Sequence, residues 1–578
     1  MGYLTSKQRQ NIMNLNTNLK AENTYDAIVI GSGISGGWAA KELTEKGLRV
    51  LMLERGMNIE HITGYETAMK NPWDFKHAGK LTEEQKRTHP VQKRDYPYQE
   101  ANEKWWVNDL ECPYTEDKRF DWYRGFHVGG KSLMWGRQSY RLSDHNFEDN
   151  ARDGHGSDWP LRYAELSPWY DYAERFAGIS GSNENWPTCP DGQFLPPMDL
   201  NIVEKSVKAR IEEHYKRERI MMIGRVANLT VPHKGRGNCQ YRNLCSRGCP
   251  FGAYFSTQSS TLPAAMATKR LTLRPYSIVN HIIYDKDTKK AKGVMVIDAQ
   301  TNKTMEFYAK IVFVNGSTLG STFILLNSTS EAHPNGLGNG SGQLGHNLMD
   351  HHFRCGASGE AEGFDDKYTY GRRANGIYIP RYQNIGNDKR DYLRGFGYQG
   401  GASRSNWQND VAELSFGADL KEKMTKPGKW SMGLGGFGEM LPYYENKVYI
   451  DKTKKDKWGQ PVLAIDCEYK ENEKKMRTDM MNDAAEMLEK AGMKNIKTYD
   501  NGCYPGMAIH EMGTARMGND PKTSVLNKWN QMHEVNNVFV TDGSCMPSIA
   551  CQNPSLTFMA LTARAADYAV KELKKKNI

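Results

Sequence analysis

Two groups of residues have the types and spacing to do chemistry. In the run Gly31-Ser-Gly-Ile-Ser-Gly36 the glycines at 31, 33 and 36 are followed, 23 residues after the first, by an acid, Glu54. Between a strand and a helix, Gly31 permits a tight bend, Gly33 lets backbone N–H groups approach a pyrophosphate, and Gly36 lets helix and strand pack closely. The helix start offers unpaired N–H groups and a partial positive charge to phosphates. Glu54 can accept hydrogen bonds from adenosine ribose hydroxyls and disfavours a 2′-phosphate there. An ordinary tight turn would use the same glycines, and the motif alone does not separate FAD from NAD. The second group is Cys239, Cys245 and Cys249, within eleven residues and among Arg236, Arg242, Arg247 and Gly248. Three thiolates so close can wrap one inorganic centre, with surrounding N–H groups donating to it. Structural zinc, a disulfide beside a free thiol, and no bound group compete with that reading. The CxxC spacing of zinc ribbons is absent, and no fourth ligand stands out nearby. The other seven cysteines read as small apolar packing groups.

These residues need elements to hold them. Residues 25–30 have a buried-strand pattern, the glycine run opens a helix to Lys46, Gly47 ends it, and a strand at 48–53 closes on Glu54. Strands are predicted at 277–284, 292–298, 305–309 and 311–314, and a helix over 471–491 with Met476, Met480, Ala484 and Leu488 on its apolar stripe. A strand at 537–541 and a helix from Pro554 finish the chain. Pieces of one nucleotide fold thus lie at both ends. The expected class is α/β, a discontinuous Rossmann-like dinucleotide-binding domain with an inserted α+β substrate domain. Residues 23–60, 120–150, 225–355 and 505–578 are assigned to the first, 61–119, 151–224 and 356–504 to the second, and 1–22 to a frayed tail.

Composition removes whole classes. In 578 residues, Lys plus Arg is 77 and Asp plus Glu is 68, a net +9 with no basic block, which argues against a nucleic-acid binder. The 13 Trp, 30 Tyr and 18 Phe supply a core and exclude a mainly disordered chain. No run of 18 apolar residues is long enough to span a membrane, and the first residues lack a basic-then-apolar export pattern.

Three later segments resemble the glucose–methanol–choline (GMC) oxidoreductases. His510-Glu-Met-Gly-Thr-Ala-Arg-Met-Gly518 is similar to that family's HxxGTxRMG segment. Val538-Phe-Val-Thr-Asp-Gly-Ser544, with Pro547 and Asn553-Pro-Ser-Leu-Thr557, is similar to its closing DGSxxP…NPxxT segment. Val314-Asn-Gly316 through Leu325 resembles its strand–glycine–helix unit, and the glycine cluster from Gly125 to Gly136 its flavin loop. The likeness runs from about residue 25 to 575, with little to match between 355 and 500. Within the family it points to bacterial sugar-oxidising branches: glucoside 3-dehydrogenases and the large subunits of gluconate, fructose and glucose dehydrogenases.

The resemblance implies roles. Oxidising an alcohol needs a base within hydrogen-bond reach of the hydroxyl, and histidine suits that task; His510 holds the family position for it. Asn553 would hold the substrate oxygen against His510, although an Asn before Pro554 is also a strong helix cap. Asp542 and Gly543 resemble the contacts to the flavin's ribityl and phosphate region. Gly129, Gly130 and Ser132 resemble the loop lying against the flavin ring, and Val279 the backbone partner of adenine. Relatives that attach FAD covalently do so through a histidine at the position of Met134, which implies non-covalent FAD here. Related sugar dehydrogenases share the cysteine spacing, which implies a 3Fe-4S cluster exporting electrons to a partner, a cytochrome or a quinone, with a small subunit alongside. An oxygen-using oxidase and a non-catalytic electron-transfer subunit are the alternatives. Co-export with a small subunit implies the periplasm, with the cytoplasm as alternative. Trp105, Trp106, Trp122, Trp407 and Trp430 could stack on a pyranose, though most read as core.

Overall fold

The computed structural model describes residues 23–364, 373–404, 416–425 and 428–578; the predicted tail and Trp407 lie outside them. Five strands run parallel in the order Leu271–Arg274, Val50–Leu53, Thr24–Ile30, Thr304–Val314 and Val538–Val540. Ala27, Ile28, Val29 and Ile30 are almost wholly buried, as expected of parallel strands covered on both faces, whose sequences read as unbroken apolar runs. Register brings the ends together: Ile30 lies beside Leu53 on one side and Val314 on the other, and Val314 beside Val540. One sheet therefore draws its strands from residue 24 to residue 540.

Thr304–Val314 is one strand of 11 residues, where the sequence suggested two at 305–309 and 311–314. Its first half pairs antiparallel with Lys290–Asp298, its second half lies between the first and last strands. Lys310 does not interrupt it, because its ammonium reaches out to Asp26 at 2.8 Å. The helix Ile34–Glu45 covers the sheet and packs on the last helix, Ser555–Lys574. Its Leu43 is fully buried, worth about 1.5–3 kcal/mol.

The stretch from 355 to 500, nearly silent in sequence, builds most of a second, antiparallel sheet. Its order is Lys494–Asp500, Cys355–Ala361, Trp430–Gly438, Phe396–Arg404, Ile377–Ile379 and Met222–Ile223. The helix Glu471–Lys490 lies on it through Met476, Met480, Ala484 and Leu488, the predicted stripe. Gly436 and Gly438 lie where a Cβ would meet the Met480 side chain at 2.6 and 2.3 Å, so glycine lets the helix settle onto the sheet. A small third sheet joins Thr115–Glu116, Pro461–Asp466 and Lys447–Lys455. The expected α/β class, one parallel nucleotide-type sheet beside an α+β region, is the architecture found. No helix among the described residues is long and apolar enough to cross a membrane.

Candidate active site

Between the two large sheets lies a cavity of about 2230 Å³, against roughly 300–1,000 Å³ for an ordinary small-molecule pocket. A dinucleotide and a second molecule can share it. Its wall includes Gly31, Gly33, Glu54, Gly130, Ser132, Val279, Asp542, Gly543, His510, Asn553 and the three cysteines. Of the residues assigned a catalytic, cofactor or cluster role in sequence, Gly36 and Gly129 alone are not on that wall, and both hold its shape from behind. A Cβ on Gly36 would lie 2.0 Å from the Gly31 carbonyl oxygen, the close packing expected of it. Gly129 has φ +88° and donates its N–H to the Ser32 hydroxyl at 2.9 Å.

One end of the cavity is built of backbone. Gly31 turns with φ +88°, where a Cβ would strike the Asn315 carbonyl at 2.3 Å; at Gly33 a Cβ would meet nothing within 4 Å. Gly33 thus leaves bare backbone facing the open cavity. Glu54 is buried and accepts three bonds, from Ser32 N–H at 3.1 Å, the Ser32 hydroxyl at 2.5 Å and Gly56 N–H at 3.0 Å. Burial raises its carboxyl above the usual range despite those donors. Asp542 accepts from the Ser321 hydroxyl at 2.5 Å and from Ser544 N–H at 3.1 Å, and burial raises its carboxyl too. Val279 sits on Ser277–Asp285, the strand at the sheet's edge. The Asn315 amide accepts from Thr541 through Oδ1, while its buried Nδ2 lacks an acceptor. Bare glycine backbone, an unanswered buried donor and ample volume fit a dinucleotide.

The other end is built of side chains from distant segments. His510 Nδ1 lies 3.0 Å from His351 Nδ1, and His351 Nε2 lies 2.7 Å from the Ala550 carbonyl. On the opposite side of the His510 ring, Nε2 lies 3.4 Å from Asn553 Nδ2, and Gln399 Nε2 donates to Asn553 Oδ1 at 2.7 Å. Burial first, then the charges of His351 and Lys131, hold His510 well below its ordinary pKa, so its ring is neutral. Asp350 accepts from the backbone N–H groups of Gly506, Ala508 and His510 at 2.7, 3.1 and 3.0 Å. Those bonds hold a strained loop: Ile509, a β-branched residue, has φ +63° immediately before His510. Lys131 pairs with Glu511 at 3.0 Å beside it.

The capping reading of Asn553 is corrected here. Helix Ser555–Lys574 takes Pro554 as its N-cap, without a side-chain cap bond; the Asn553 amide instead spans Gln399 and His510. Ser555 and Phe558 of its first turn line the cavity. Sequence reasoning missed His351, Asp350 and Gln399. The run Asp350-His-His352 was a usable signal; Gln399, on a glycine-rich strand, offered none.

Cys239, Cys245 and Cys249 are half-buried and free. They are near enough that burial first, then Cys245 and Cys249, raise the Cys239 thiol. Among the described residues, however, no group of three metal-ligating side chains gathers round a common point. A cluster of several irons would be held by these three thiolates, which share one stretch of the cavity wall. Six of the other seven cysteines are buried as expected, with Cys503 partly exposed. Trp105, Trp106, Trp122 and Trp430 are at most 9% exposed and pack in the core, with Trp106 and Trp122 also on the cavity wall.

Comparison with known proteins places this geometry. Two family models described as GMC oxidoreductase match, one over residues 25–353 and one over 442–562. The chain is 29% identical over 568 residues to 2-methyl-1,2-propanediol dehydrogenase from Mycolicibacterium austroafricanum, covering 94% of each chain. It is 24% identical over 576 residues to the fructose dehydrogenase large subunit from Gluconobacter japonicus, covering 95% of this chain and 98% of that one. Among solved structures, pyridoxine 4-oxidase from Mesorbium loti shares the fold at 16% identity and a TM-score of 0.59, over 94% of this chain and 98% of the other. With both models matched and the glycine turn and His510 facing one cavity, the chain belongs to the GMC oxidoreductase family and is an enzyme.

Proposed function

We propose that this enzyme oxidises a CH–OH group of a sugar or glycoside to a ketone or lactone, with FAD held non-covalently and His510 as base. The observation that carries the reading is one cavity with a dinucleotide-shaped wall at one end and a neutral His510–Asn553 pair at the other. Bound FAD supplies the hydride acceptor. His510 Nε2 takes the hydroxyl proton of the substrate. Asn553, its amide fixed by Gln399, holds the substrate oxygen at that nitrogen. Gly31, Gly33 and the first turn of Ile34–Glu45 receive the phosphates. Gly130 and Ser132 lie against the ring, Asp542 and Gly543 serve the ribityl region, Glu54 the ribose and Val279 the adenine. Met134 offers no histidine for a covalent bond.

The finer reading is a dehydrogenase. Likeness to a fructose dehydrogenase large subunit supports a small subunit alongside; a partner acceptor, the periplasm, and a 3Fe-4S cluster held by the three cysteines on the cavity wall complete the reading. A second reading is an oxidase, supported by 27% identity over 568 residues to paromamine 6'-oxidase from Streptomyces fradiae. Anaerobic mixing of the purified protein with sugars and glycosides, methyl glucoside among them, tests the function through loss of oxidised-flavin absorbance. Sugars and glycosides that leave the flavin oxidised while a simple diol bleaches it would overturn the substrate class. Peroxide in air without a dye separates oxidase from dehydrogenase, and iron and acid-labile sulfide in a 3:4 ratio test the cluster. Co-expression with a candidate small subunit and fractionation of cells test assembly and compartment.

A further inference from the structure

We infer that His351 is a positioning residue that fixes the tautomer of His510, so that the Nε2 lone pair, and not an N–H, faces the cavity. The inference rests on His510 as base and adds what makes it one. His351 is fully buried, and burial lowers it to about 4, so it is neutral and carries a single N–H. Its Nε2 lies 2.7 Å from the Ala550 carbonyl, which can only accept. The proton of His351 is therefore on Nε2, and its Nδ1 is a lone pair. That lone pair lies 3.0 Å from His510 Nδ1, which must donate to it. A neutral His510 with its proton on Nδ1 has a bare Nε2. The other face of the ring is compatible with that tautomer. Asn553 Oδ1 accepts from Gln399, so its Nδ2 is turned to His510 Nε2, and an amide N–H meets only an acceptor there.

The arrangement also serves the charged form. When His510 takes a proton at Nε2, its Nδ1–H still has the His351 lone pair to hold it, and no buried group changes partner. Asp350, the neighbour of His351, fixes the backbone of the same loop through His510 N–H. Consecutive residues thus place the base twice, one by its main chain and one by its ring.

Two conservative variants separate the bonds of His351. In His351→Asn the side-chain oxygen takes the place of Nδ1 and keeps the acceptor, while the bond to Ala550 is lost. In His351→Gln the amide reaches Ala550, but nothing accepts at the Nδ1 position. The readout is carbethoxylation of His510 by diethyl pyrocarbonate in the flavin-loaded protein, followed by peptide mass spectrometry across pH; the reagent reads an available ring lone pair and needs no substrate. Wild type and His351→Asn are expected to react alike. His351→Gln is expected to react about tenfold more slowly at His510, the worth of one hydrogen bond to the tautomer balance, with its midpoint moved to lower pH. Equal rates in wild type and His351→Gln, or equal losses in both variants, would overturn the inference. Bleaching of the flavin by methyl glucoside is followed in parallel. If His510 reactivity follows the acceptor and bleaching does not, the positioning stands and the base role falls.

Discussion

The two ends of the cavity are made differently. At the nucleotide end, Gly31, Gly33 and Glu54 sit in one β-α-β unit, and recognition is done by main chain that glycine leaves bare. At the oxidising end, His510, His351, Asn553 and Gln399 arrive from four separate segments, two on loops near the chain's end and one on a strand of the second sheet. The first end is a local solution, fixed within 24 residues. The second exists only once both sheets have formed. A turn can be built by sequence spacing, but a proton acceptor with a chosen tautomer needs partners on two sides, and only tertiary structure supplies both.

That contrast can be broken at several points. The largest effect on stability is expected from Gly36→Ala, whose Cβ must sit 2.0 Å from a backbone oxygen; it should cost on the order of 3 kcal/mol, read as a lowered unfolding midpoint. Gly33→Ala has open space around it, so the midpoint should hold within about 0.5 kcal/mol while flavin affinity falls about tenfold or more. If both variants behave alike, packing and binding are not separated as described. At the other end, His510→Ala should keep flavin and slow its bleaching by about 10²–10⁴-fold. Asn553→Ala should slow it by about tenfold, the loss of one oriented hydrogen bond, measured by the same anaerobic stopped flow.

The smallest effect is the dependence of stability on pH. Burial lowers His61, His127, His145 and His351 to about 4, His352 to about 3, and His510 well below the ordinary range. The unfolded chain binds these protons first, so stability is lost as pH falls from about 6.5 towards 4. Asp95, Asp350 and Glu439, pushed up to about 7, and Glu54, Glu473 and Asp542, also raised, act in the opposite sense, but these six carboxyls face ten lowered histidines. Calorimetry over that window should show a falling midpoint; a flat profile would mean these rings are hydrated.

Legibility in the sequence follows the same division. The glycine turn, the first helix and the parallel strands could be read because spacing and apolar runs encode them locally, and the strand at 304–314 was misjudged only because an outward lysine looked like a break. His510 and Asn553 were legible through motif resemblance. Their partners were not: His351 is chosen by its distance to one ring atom, and Gln399 sits on a strand whose glycines hide the alternation of a sheet. The cysteines were legible as a group, yet their spacing did not say whether their thiols converge.

A crystal structure of the protein purified with its flavin tests the central claim most directly. The account predicts the diphosphate on Gly31 and Gly33, and the ring between the Gly130 loop and His510, with Nε2 turned towards the reactive face. A nucleotide bound elsewhere, or a ring with its reactive face away from His510, would contradict it.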